Sequence, residues 1–172
     1  MGFVGRAEEL RALEDAYQSH SFELVTVTGP AGSGKTALLR EFCKNKRAVL
    51  FTASRTNQAM NLAAFSKAVS KAMYRGLRSL VDFGSVQEAF LFMKRMSANS
   101  HLIVVVDDYD ALRDAVPSAD KDLKELFEHD MGDTHIMVVL SGRSAIDPGI
   151  PEHRSIRLER LPFSVLRDEK DI

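Results

Sequence analysis

The sequence predicts an α/β domain in three layers, a mostly parallel central sheet with helices on both faces. Three observations predict it. Apolar runs of strand length alternate with stretches whose apolar residues recur at helical spacing. One run, Leu102-Ile103-Val104-Val105-Val106, is continuous and β-branched, as in a parallel strand covered on both faces. The first strong strand, Phe22–Thr28, runs directly into a glycine-rich turn, and a helical stretch leaves that turn.

Taken in order, residues 6 to about 18 place Ala7, Leu10, Leu13 and Tyr17 on one helical face, with Glu8, Glu9, Arg11 and Glu14 outside. After the Phe22–Thr28 strand, Thr36–Phe42 reads as a helix. The polar turn Lys44–Arg47 leads to a second strand, Ala48–Thr52. Asn61 is read as the cap of a helix carrying Leu62, Phe65, Val69, Ala72 and Met73. Ser85-Val86-Gln87-Glu88 has the form of a capping box for the next helix, with Val86, Phe90 and Met93 on its apolar stripe. The Leu102–Val106 strand ends in Asp107-Asp108, and Asp110 and Asp114 read as solvated turn charges. Ser118 starts a helical stretch with Leu123, Leu126 and Phe127. Thr134–Leu140 is a further apolar strand ending at Ser141-Gly142-Arg143-Ser144, and Ser155–Leu158 is a last short one. Strands alternating with helices imply right-handed crossovers in a single sheet.

Composition excludes several classes. The length of 172 residues suits one domain with a real core. A hydrophobic share of 45% and a charged share of 27% are those of an ordinary soluble globular chain. With a net charge of −1, nucleic acid is not indicated as a partner, and no run approaches the roughly 20 apolar residues of a membrane span. The N-terminus lacks the apolar core of a secretion signal, and Arg6 stands where N-myristoylation requires Ser or Thr. The single Cys43 fits a reducing compartment and reads as a small buried hydrophobe. A cytoplasmic protein is expected. The five histidines show no metal-ligand spacing and read as surface or strand-edge residues.

The turn after the first strand carries the chemistry. Gly29-Pro30-Ala31-Gly32-Ser33-Gly34-Lys35-Thr36 fits the phosphate-loop pattern at every fixed position. Strand, glycine turn and helix N-terminus together turn backbone N–H groups and the positive helix end toward an anion. The binding segment therefore runs from Gly29 to Ala37, with Lys35 facing the β- and γ-phosphates and the Thr36 hydroxyl facing Mg²⁺. A phosphate cradle also needs carboxylates at the carboxyl edge of the sheet. Asp107 is assigned to the Mg²⁺ (Walker B) role and Asp108 to polarising the attacking water. Ser141, ending the neighbouring strand, is a candidate γ-phosphate sensor and Arg143 a cationic probe; a strand-end cap and a surface arginine are equal alternatives.

These residues together resemble the archaeal-type ATPase family, in the STAND class of AAA+-related P-loop NTPases. The similarity begins at Phe3-Val4-Gly5-Arg6-Ala7-Glu8-Glu9-Leu10 and runs through the P-loop, Phe51-Thr52-Ala53 and Asn61-Leu62 with Phe65-Ser66. It continues through the Asp107 strand and the Ser141 strand to Arg157–Phe163. The resemblance implies a P-loop NTPase sandwich that binds ATP and Mg²⁺, with Val4, Gly5, Arg6 and Pro162 near the adenine. It divides the chain into a nucleotide-binding domain, residues 1–160, and the start of a lid or linker, residues 161–172, with further C-terminal domains or a protein partner beyond. Asp108 stands where relatives usually carry Glu, a carboxylate one methylene longer. The expected function is thus a nucleotide switch with slow, Mg²⁺-dependent ATP hydrolysis. An assembly or signalling module that binds ATP without turnover is the first alternative, and a small-molecule or nucleotide kinase the second.

Overall fold

The computed structural model describes residues 5–74, 81–98, 100–150 and 153–161. Five strands form one sheet: β1 (Glu23–Thr28), β2 (Ala48–Thr52), β3 (Leu102–Asp107), β4 (Ile136–Gly142) and β5 (Arg154–Arg157). They lie in the order β2-β3-β4-β1-β5 and every pairing is parallel. The expected parallel α/β sheet is what the chain adopts. β3 and β4 are buried along their whole length, which accounts for their lack of polar alternation.

Helices cover both faces. α1 (Ala7–Tyr17) and α2 (Lys35–Cys43) cover one, where Leu13, Leu38, Leu39 and Phe42 pack on Val25, Val27, Val105 and Val139. The other carries α3 (Gln58–Tyr74), α4 (Val86–Ser97), α5 (Tyr109–Ala115) and α6 (Ala119–His129). Phe65, Phe90, Leu112, Leu123 and Phe127 pack there on Phe51, Val104 and Val138. Burying a side chain of this size contributes about 1.5–3 kcal/mol, so each face holds its helices by many such terms.

The ends of the elements show where sequence signals acted differently from expectation. Asn57, not Asn61, caps α3, its Oδ1 accepting from the Met60 N–H at 2.9 Å. Asn61 is buried in the first turn, where its amide accepts from Ser54 N–H and donates to the Ser54 and Asn57 carbonyls, each at 2.9 Å. It therefore fixes the loop that leaves β2. Ser85 caps α4 as expected, accepting from Glu88 N–H at 3.1 Å, while Glu88 reaches back to Gly84 N–H rather than Ser85 N–H. α5 is a helix where only a turn was expected. Burial raises the Cys43 thiol to about 11, so it stays a protonated hydrophobe.

At the end of the sheet opposite the P-loop, three histidines meet. His101 stacks on His20 at 4.6 Å with an angle of 8°, lies 4.2 Å from the Tyr17 ring, and meets His135 edge-on at 6.2 Å. Partial burial lowers the His101 pKa from its ordinary 6.5, and His20 and His135 lower it further. A lowered folded value means the unfolded chain takes the proton first as pH falls. Stability is thus full above 6.5 and declines as the pH drops through the folded value. The melting temperature should fall on acidification below pH 6.5, and His101→Phe, which keeps the ring and removes the titration, should flatten that fall.

Candidate phosphate and metal site

The P-loop closes on itself through the backbone. Gly34 sits at φ 90° as the residue before α2, a left-handed conformation that a Cβ would strain. This turn aims the first N–H groups of α2 into the loop, where the helix dipole is positive. Ser33 Oγ is buried there with no hydrogen-bond partner among the described residues, a polar group left for whatever fills the cradle. Lys35 Nζ donates to the Gly29 carbonyl at 2.6 Å and the Pro30 carbonyl at 3.0 Å. Its pKa is lowered by burial and by Arg143, against the opposing pull of Asp107, Asp108 and Asp110. Two cations thus share the phosphate side, facing three carboxylates.

The parallel register sets the carboxylates opposite. Thr52 of β2 pairs with Asp107 at the end of β3, next to the end of β4. Asp107 is buried and accepts from both sides: Thr36 Oγ1 donates to Oδ2 at 2.6 Å and Ser141 Oγ to Oδ1 at 2.6 Å. Asp108 follows in the left-handed region, φ 56° and ψ 56°, a conformation Asp tolerates better than most residues. Its N–H points back to Asp107 Oδ1 at 3.2 Å and Ser141 Oγ at 3.3 Å, while its own carboxylate has no hydrogen-bond partner among the described residues.

The structure brings Gly29–Ala37, Asp107, Asp108 and Ser141 together at one sheet edge. Ser141 is wholly buried, and its hydroxyl is spent on Asp107 Oδ1. Arg143 lines an open cleft of about 530 Å³ with Gly29, Pro30 and Arg157, beside the P-loop. Arg6 packs against the P-loop. Its buried guanidinium donates to Ser33 O at 2.8 Å, to Glu159 O, and to Glu9 at 3.2 Å, tying the P-loop to the segment after β5. Arg160 adds a second tie, to Ala31 O at 3.1 Å. Val4 and Pro162 lie outside the described residues.

Asp110 is not a solvated turn charge. It accepts from Arg143 N–H at 2.7 Å and Ser144 Oγ at 3.2 Å, holding the loop after β4 against α5. A Cβ at Gly142 would meet its carboxylate at 2.8 Å, so a larger residue there would have to displace the Asp110 side chain from these contacts. Asp114 pairs with Arg55 at 2.8 Å. No sequence spacing announces these links, since their partners lie on other elements.

A parallel sheet whose first strand opens into a phosphate loop, with a buried carboxylate at the end of β3, one strand removed across β4, defines a P-loop nucleotide-binding core. The family of ATPase domains predominantly from Archaea matches residues 3–149, and the chain belongs to it. No curated protein matches the chain in sequence. The fold is similar to the Walker-type ATPase of Pyrococcus abyssi, with TM-score 0.70 and 15% identity over 95% of this chain and 55% of that one. It is also similar to the Aeropyrum pernix ORC1 protein solved in complex with DNA (TM-score 0.62, 19% identity, 97% of this chain, 48% of that one). The Aeropyrum pernix ORC2 protein, solved as ADPNP–ADP complexes, is a third (0.63, 16%, 96% and 50%). The chain spans about half the length of these structures. Among the described residues, no helix is long and apolar enough to cross a membrane.

Proposed function

We propose that the chain is an ATP-binding switch domain of the STAND type whose site carries out slow, Mg²⁺-dependent hydrolysis. The observation that carries this reading is the contact of Thr36 Oγ1 with Asp107 Oδ2 at 2.6 Å, a hydroxyl and a carboxylate converging from the P-loop helix and the end of β3. That hard oxygen donor set suits Mg²⁺, which binds through one or two such groups and keeps its remaining positions for water and phosphate oxygens. When bound, the ion would neutralise charge on the β- and γ-phosphates.

This chain's own residues do the rest. The loop N–H groups and Ser33 Oγ receive phosphate oxygens, and Lys35 exchanges its two loop carbonyls for phosphate. Arg143 adds positive potential from the β4 side. Asp108, the carboxylate left unengaged, orients water toward the γ-phosphate, and its short reach makes turnover slow. On the base side the reading rests on Gly5 among the described residues, because Arg6 is engaged with the P-loop. Arg6 and Arg160 instead carry the state of the loop to residues 158–161, which is the switch element of this proposal. The site lies in a cytoplasmic protein, with a protein partner or further domains receiving that signal.

Phosphate release in Mg²⁺ and in EDTA, at matched nucleotide occupancy, tests the reading. Asp107→Asn keeps an acceptor for Thr36 or Ser141 and loses the charge. It should weaken Mg²⁺-dependent ATP binding about tenfold, about 1.4 kcal/mol, with little change in binding without the ion. Release at equal rates with and without Mg²⁺ would reject the metal assignment. Stable occupancy without release would favour the module that binds ATP without turnover.

A further inference from the structure

The two edges of the sheet are built differently. β5, at one edge, exposes Arg154 and Arg157, and Arg154 pairs with Glu23 at 3.1 Å. Charge of this kind on an edge strand discourages the addition of another strand. β2, at the other edge, reads Ala48-Val49-Leu50-Phe51-Thr52 and has no charge at all. It pairs only with β3 among the described strands, and Leu50 is 45% exposed. A cleft of about 360 Å³ lies at this edge, lined by Thr36 and Asp107, by Leu50 and Val105, and by Arg40 and Lys71. Arg40 projects from α2 on one face of the sheet and Lys71 from α3 on the other. Both are exposed and neither makes a hydrogen bond or ion pair with a described residue.

An uncharged open edge flanked on each side by an unpaired cation has a definite complement. We infer that β2 docks an extended acidic segment of a partner protein by strand addition. Backbone N–H and C=O groups of β2 supply the pairing, Leu50 receives an apolar side chain, and Arg40 and Lys71 receive carboxylates. A second copy of this chain paired through β2 would bring like charges together. Among the described residues the one ring on this strand, Phe51, is buried, so nucleic acid would find cations but no exposed ring on which to stack. Because Thr52 is in register with Asp107, the docked strand would end beside the proposed Mg²⁺ residues. Coupling between docking and nucleotide rests on the function proposed above; docking itself does not.

The test is fluorescence anisotropy on the full chain without nucleotide, using a short labelled peptide that alternates Val with Glu and a counterpart that alternates Val with Lys. The acidic peptide should bind saturably, and the basic one at least about tenfold more weakly. The double variant R40E/K71E should reverse that preference. Leu50→Lys, which places a charge on the edge, should abolish binding of the acidic peptide while thermal stability and ATP binding stay at the unsubstituted level. No saturable binding of the acidic peptide, or binding that ignores both variants, would overturn the inference. Since no nucleotide is present, that failure would leave the nucleotide site standing. Lys35→Ala, conversely, should lose ATP and keep the peptide.

Discussion

Lys35→Ala should weaken ATP binding by about 1.5–3 kcal/mol, roughly 10- to 150-fold in Kd, with the fold retained. The ammonium touches only the Gly29 and Pro30 carbonyls of its own loop, at 2.6 and 3.0 Å. Its removal breaks no direct ion pair with a described residue, so the free protein should stay folded, its melting temperature moving by a few degrees at most. The loss falls on the bound state, where a charge-assisted contact to phosphate is missing. A thermal shift with Mg·ATP that is present in the natural sequence should vanish in the variant. Equal shifts in both would show that phosphate is held elsewhere.

Asp108→Asn should separate turnover from binding. Asn tolerates the left-handed backbone that Asp108 adopts, φ 56°, so the loop into α5 is preserved. The variant loses a carboxylate that no described residue engages. Single-turnover phosphate release should fall by about 10²- to 10⁴-fold, the usual contribution of a positioned acid–base group, while ATP affinity stays within about twofold. A fall in affinity with unchanged release would move Asp108 from water to metal. Asp108→Glu makes the related point. The longer side chain reaches further toward water, but its backbone is less at ease at positive φ, so faster release should come with lower stability.

Much of the fold was legible because the sheet is buried on both faces. β3 and β4 cannot alternate polar and apolar residues, and their continuous runs mark them as central strands. The P-loop was legible because each of its fixed residues answers a local need of backbone or phosphate. What escaped was set by partners distant in sequence. Arg6 reaches across to Glu159, and Asp110 to Arg143 and Ser144, and neither leaves a spacing signal. α5 was missed because Asp110, Arg113 and Asp114 give so short a stretch the look of a turn; burial of Tyr109, Ala111 and Leu112 makes it a helix. Asn57 and Asn61 are equally good caps on paper, and only the buried carboxamide ties to Ser54 decide between them. Ser141 was placed at the right strand end, but its depth behind Asp107 is a property of the packed sheet.

The account stands most directly on one titration: ATP into the chain by calorimetry, in Mg²⁺ and again in EDTA. It predicts one site per chain with micromolar affinity, about −8 kcal/mol, and at least about tenfold weaker binding when the ion is withheld. Binding that is absent, or equally tight in EDTA, would contradict the joint roles given to Lys35, Thr36 and Asp107.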